Sequence, residues 1–110
     1  MNSLNSVLLE GFLIGDPIEG RTEQDEMECT FNISSERYYK KDEEIVKEMT
    51  TVSVKVYSIL ADSCARHLQK GRGVRVVGRL KQVFDEDESK TSQVLIQAEH
   101  VEFKPIVVAG

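Results

Sequence analysis

Five cations and no carboxylate lie between Gln69 and Phe84 in "QKGRGVRVVGRLKQVF": Lys70, Arg72, Arg75, Arg79 and Lys81. Guanidinium and ammonium groups strung along one short segment suit the neutralisation of a row of anions such as phosphates. Aromatic rings are the second resource. Tyr38 and Tyr39 stand in "ERYYKK" between Arg37 and the pair Lys40 and Lys41, and Tyr57 closes "TVSVKVY" two residues after Lys55. Cations interleaved with exposed rings are what a single-stranded nucleic acid needs. Lys and Arg pair its phosphates, and unpaired bases stack on ring faces at about 1–3 kcal/mol per base. The plainer alternative is a solvated strand face whose cations serve solubility, with Tyr39 and Tyr57 covering a rim.

The chain as a whole is acidic. Its 110 residues carry 14 Lys and Arg against 19 Asp and Glu, a formal charge of −5. Binding depends on where charges sit rather than on their sum. The carboxylates concentrate in three stretches, Glu19 to Glu28, Asp42 to Glu48 and Asp85 to Glu88, which leaves one cationic face with repulsive loops around it.

Catalysis finds no support. His67 and His100 lie outside any metal-ligand spacing, and no nucleophile elbow, zinc-protease or phosphate-loop motif occurs. The glycines of "GRGVRVVG" do not fit a dinucleotide fingerprint and sit inside a strand. Cys29 and Cys64 read as two small buried apolar side chains. No cofactor or metal is expected. The apolar runs are too short to span a bilayer and the start carries no export signal, so the expected compartment is the cytoplasm, in association with the nucleoid.

These side chains need elements to position them. Period-two alternation predicts strands at 6–15, 27–34, 51–57, 72–81 and 92–104. In the second, Met27, Cys29, Phe31 and Ile33 face inward. In the third, Val52, Val54 and Val56 do so, leaving Lys55 and Tyr57 outside. In the fourth, Val74, Val76 and Leu80 share the dry face, and Arg75, Arg79 and Lys81 the wet one. Gly11 inside the first strand marks a bend or a close backbone approach. The segment 58–71 switches to helical spacing through Leu60, Ala61, Cys64, Ala65 and Leu68, with Ser58 as cap and Gly71 at the end. Polar connections are expected at 17–26, 35–49 and 84–91, the middle one too long for a tight hairpin. Five strands with one helix between the third and fourth is the order of an all-β OB-fold, a partly open five-stranded barrel. One domain over 1–105 is expected, followed by a short disordered extension at 106–110.

The sequence resembles the bacterial single-stranded DNA-binding protein (SSB) family. "MNSLNSVLLEGFLIGDP" is similar to the family's opening strand, "CTFNISSERYYK" to its second, "LADSCARHLQKGRGVRVVGRL" to its helix and fourth strand, and "AEHVEFKP" to its closing strand. The resemblance implies an OB-fold homotetramer, a dimer of dimers. It would coat single-stranded DNA without catalysis in replication, recombination and repair, with replication and repair proteins as partners. By position it places Tyr38 and Tyr57 under bases and Arg37, Lys55, Arg75, Arg79 and Lys81 against phosphates. Tyr39, Lys40 and Arg72 border that set. Asn5, Val7, Leu9 and Gly11 of the first strand fall at the oligomer contact.

Departures from the family pattern favour a second class. The chain has no tryptophan, Thr51 stands where an aromatic is common, and the loop after the fourth strand reads "VFDEDESK". Phe84 is the ring available there, beside four carboxylates. The chain closes on "PIVVAG" rather than on the acidic tail of typical members. The alternative is an OB-fold protein-interaction or replication-restart module that binds DNA weakly.

Overall fold

A computed structural model describes residues 1–84 and 93–106. The expected disorder at 107–110 and the acidic Asp85 to Glu88 loop lie outside the described residues. Seven elements are present among those that are described. They are β1 (Val7–Leu13), β2 (Ile18–Arg21), β3 (Met27–Lys41), β4 (Glu44–Tyr57), α1 (Ser58–His67), β5 (Gly73–Val83) and β6 (Gln93–Phe103). The strands follow the order β1-β5-β6-β4-β3-β2, and β1 also pairs with β3. That pairing closes a five-stranded barrel from β1, β5, β6, β4 and β3, with α1 inserted between β4 and β5. The OB-fold expectation stands, with closure in place of the partly open barrel.

Closure needs the β1 backbone to meet β3 tightly, and Gly11 permits it. A Cβ there would lie 2.3 Å from the Ser34 carbonyl oxygen. Phe12 and Leu13 then pair with Ser34 and Ile33. The alternation places the core as read: Cys29, Phe31, Ile33, Val54, Val56, Val74 and Val76 are buried, with Ala61, Cys64 and Leu68 of the α1 region packed over them. Burial pushes the Cys29 thiol up to about 11, with nearby Glu19 adding to the effect. Burial, with Cys29 beside it, takes Cys64 to about 12. Both are free, buried thiols of the core.

Five details depart from the sequence reading. The polar stretch 35–49 is a continuation of the β3–β4 ladder, unbroken in register from Glu28↔Tyr57 to Lys41↔Glu44. Its turn is Asp42-Glu43, with φ of 50° and 67°. Two consecutive left-handed residues make the turn that matches strand twist, here without the glycine that signals it. The expected connection 17–26 contains β2, which pairs with Met27–Thr30. Ser58 does not cap α1: it has a φ of 59°, and its hydroxyl donates to Glu26 at 2.7 Å. The helix ends at His67, and Gly71 (φ 91°) serves the turn beyond it, donating to the Leu13 carbonyl. Finally, Leu80 has the predicted inward parity but is half exposed. By that point β5 has passed beyond β1, whose last partner on it is Gly78.

A bulge at Val77/Gly78 separates two halves of β5, because Val77 pairs with His100 and Gly78 with Ala98, skipping Glu99. Arg75 and Arg79 therefore keep one parity but lie in different neighbourhoods.

Candidate nucleic-acid interface

The outward face of the barrel carries a polar row across four strands. Register aligns Thr30 with Lys55, Lys55 with Gln97, and Gln97 with Arg79. Strand spacing puts Lys55 and Arg79 about 10 Å apart with Gln97 between them. Tyr57 lies one outward position beyond Lys55, and the Lys81 ammonium sits 5.7 Å from the centre of its ring. Tyr57, Lys81 and Gln97 line an open hollow of about 450 Å³ with Thr22, Gln24 and Glu26. Arg79 has no ion-pair partner among the described residues. Lys55 has only a long contact, 3.9 Å to Glu28. Next along the face, the Ser53 hydroxyl donates to the Asn32 side-chain Oδ1 at 2.6 Å.

The β3–β4 arm extends this surface and divides the aromatic cluster. Residues of one parity, Glu36, Tyr38 and Lys40, continue the Lys55–Tyr57 face and pair with Met49, Lys47 and Ile45. Tyr38 is 61% and Ile45 77% exposed. The Lys47 ammonium lies 3.1 Å from Glu36, which holds its pKa above the ordinary range. Residues of the other parity point to the opposite side: the Arg37 guanidinium lies 5.2 Å from the Tyr39 ring centre and 3.9 Å from Glu48. Adjacent in sequence, Arg37 and Tyr38 occupy different faces.

The remaining cations are differently placed. Arg75 is flanked by carboxylates of both neighbouring strands, Nη2 at 3.0 Å from Glu10 and Nη1 at 3.5 Å from Glu102. Glu10 also accepts from Lys104, and with Arg75 this holds its carboxyl below the usual range. Arg72 donates to the Lys104 carbonyl at 2.9 Å and lies over the Phe103 ring, fixing the junction where β5 begins. Phe84, just past β5, is 73% exposed.

At β1, Val7 and Leu9 are half-buried and pack against the core, and Gly11 meets the Ser34 backbone. The Asn5 amide bonds the Leu80 N–H and carbonyl, both at 2.9 Å, which prolongs the β1–β5 ladder through a side chain. Leu8, which shares its outward parity with Glu10, is 70% exposed. Between Val7 and Gly11, the edge of β1 away from β5 has no strand beside it among the described residues.

Gln97 and Leu8 were not singled out in the sequence. Gln97 follows Leu95 and Ile96, both buried, so the local pattern loses its alternation at the point where a polar outward residue enters. Among the described residues no three His, Cys, Asp or Glu side chains gather as a metal site would require. No helix of the described residues is long and apolar enough to cross a membrane.

Known proteins resemble this chain in sequence, and solved structures resemble it in fold. The chain is 34% identical over 100 residues to a single-stranded DNA-binding protein of Aquifex aeolicus, covering 89% of this chain and 68% of that protein. It is 33% identical over 89 residues to single-stranded DNA-binding protein 1 of Chlorobaculum tepidum, covering 80% of this chain and 54% of that protein. The chain thus spans 68% of the first relative's length and 54% of the second's. Among solved structures, the Plasmodium falciparum SSB in complex with ssDNA superposes with a TM-score of 0.83 at 20% identity, over 96% of this chain and 98% of that one. A deletion mutant of the Thermus aquaticus single-stranded DNA-binding protein gives 0.82 at 23% identity, over 93% of this chain and 51% of that one. At these identities the two structures speak for the fold. The sequence model of the single-strand binding protein family matches residues 4–104, nearly the whole chain, and the chain belongs to that family.

Proposed function

We propose that this chain binds single-stranded DNA without sequence preference and without catalysis, on the outward face of β3, β4, β6 and β5. The observation that carries this reading is the row Lys55–Gln97–Arg79 with Tyr57 and Lys81 beside it. There, two cations at strand spacing and a ring at the edge of a hollow match a phosphate–base repeat. Tyr38 and Lys40 extend the path along the arm. Arg75, Arg72, Arg37 and Tyr39 stand off this path, and we assign them to holding the barrel and the arm. Phe84 adjoins the far end of β5 and is a further stacking ring. In this reading the protein protects exposed strands during replication, recombination and repair in the cytoplasm. It assembles as a homotetramer whose first contact runs along β1, and it uses no cofactor.

The test is fluorescence anisotropy of a labelled oligo-dT and of a duplex of equal length across a salt series. Tight binding to the single strand alone is expected, weakening with a log–log slope near −0.7 per phosphate neutralised. Equal or negligible binding of both would overturn the reading. A second reading, a protein-interaction module with weak DNA binding, has one observation in its favour. Arg75, Arg37 and Lys47 already pair with carboxylates of the chain, which reduces the charge open to phosphate. Single-strand affinity no tighter than high micromolar, with capture of a defined replication protein, would favour it.

A further inference from the structure

Gln97 is the uncharged outward side chain that stands between the two cations of the binding row. It lies between Lys55 and Arg79 in register, and its Oε1 is buried yet accepts no hydrogen bond among the described residues. Buried polar atoms without a partner are rare and call for an explanation. Here the same amide lines the open hollow beside Tyr57.

Resting on the reading of this face as a single-strand surface, we propose that Gln97 pairs with the Watson–Crick edge of the base stacked on Tyr57. The hollow is then a base-binding subsite that accepts any of the four bases. Lys81 covers the Tyr57 ring in the free protein. An incoming phosphate draws the ammonium away, which uncovers the ring face and, behind it, the amide. The base then stacks on Tyr57 and aims its edge at Gln97.

Amide chemistry explains why such a contact leaves sequence unread. A carboxamide presents one acceptor and one donor side by side. Adenine and cytosine offer an amino donor next to a ring-nitrogen acceptor, and guanine and thymine offer a carbonyl acceptor next to an N–H donor. Turning the amide over by 180° reverses its donor and acceptor, so either pairing is made with two hydrogen bonds. A carboxylate, which only accepts, or an ammonium, which only donates, would discriminate among the bases. Gln97 supplies directional bonding at the centre of the row with no preference attached.

The experiment uses the full chain, short labelled oligo-dT, oligo-dC and oligo-dA, and an abasic strand of equal length. Gln97→Met keeps the side-chain length and removes the amide; Gln97→Asn keeps the amide but withdraws it by one methylene. Both are expected to weaken binding of all three base-bearing strands by about 3- to 10-fold, the value of a neutral hydrogen bond. Affinity for the abasic strand and the salt slope are expected to stay unchanged. Three results would overturn the proposal: an equal loss on the abasic strand, no loss on any base-bearing strand, or a loss confined to one base. If the unsubstituted protein binds none of these strands, the single-strand reading itself fails, a result distinct from any effect of the two variants.

Discussion

Arg75 and Glu10 face each other across the β5–β1 ladder, the guanidinium Nη2 3.0 Å from the carboxylate, with Glu102 closing on Arg75 from β6. Four residues further along the same strand, Arg79 opposes the uncharged Gln97. Two arginines of one basic segment thus meet opposite electrostatic surroundings. A phosphate approaching Arg75 must displace carboxylates, whereas Arg79 offers its charge directly.

Charge reversal separates the two. Arg79→Glu is expected to weaken oligo-dT binding on the order of tenfold, the worth of a charge-assisted contact, with little change in thermal midpoint. It should also make the salt slope shallower by about 0.7, one phosphate contact on a single strand. Arg75→Glu places a third carboxylate beside Glu10 and Glu102, and its expected effect is a lower thermal midpoint with a nearly unchanged salt slope. Anisotropy and thermal unfolding of both variants check this; a larger slope change for Arg75→Glu than for Arg79→Glu would reverse the assignment.

Tyr57 should be the ring whose loss costs most. An exposed cation–π contact such as Lys81 over Tyr57 is worth about 0.5–1 kcal/mol, less than the roughly 1–3 kcal/mol of base stacking, so DNA wins the ring. Tyr57→Ala is therefore expected to weaken oligo-dT binding about 5- to 100-fold on that stacking scale, and Tyr57→Phe to keep most of the affinity. Comparable losses in both variants would mean that the hydroxyl, not the ring, carries the effect.

The sequence made the core legible because each barrel strand buries one face. Cys29, Phe31 and Ile33, then Val54 and Val56, declare themselves by period two, and Ala61, Cys64 and Leu68 by helical spacing. What stayed hidden is set by partners distant in the chain. Arg75 and Arg79 look alike in "GVRVVGRLK", and only the register with Glu10, 65 residues away, tells them apart. The arm was hidden for a local reason: Asp42-Glu43 makes a left-handed turn without glycine, so 35–49 lacked the usual hairpin mark. With the arm read as a loop, the opposite facing of Arg37 and Tyr38 could not be seen.

Barrel closure gives a prediction about stability alone. A Cβ at Gly11 would stand 2.3 Å from the Ser34 carbonyl oxygen, a backbone atom that moves only with β3. Gly11→Ala is expected to cost about 1–3 kcal/mol, the range of overpacking, read as a lower midpoint in denaturant unfolding. An unchanged midpoint would show that β1 and β3 do not approach so closely.

Glu10 sets a pH dependence whose direction follows from its partners. Lys104 contributes most and Arg75 next to lowering its carboxyl pKa from the ordinary 4.5. A group with a depressed folded-state pKa stabilises the fold fully above its unfolded value, and that share is lost as pH falls through the lower, folded value. The Glu10 contribution is thus complete at neutral pH and disappears in acid below 4.5. Carboxyl carbon shifts in an NMR titration should place Glu10 below the ordinary value. Lys104→Met should move it back further than Arg75→Met. In unfolding experiments Glu10→Gln should lower stability near pH 7, and the gap to the unsubstituted protein should narrow as the pH falls. A gap that stayed constant into acid would mean that the Glu10 carboxylate contributes no charge-dependent stability at this junction.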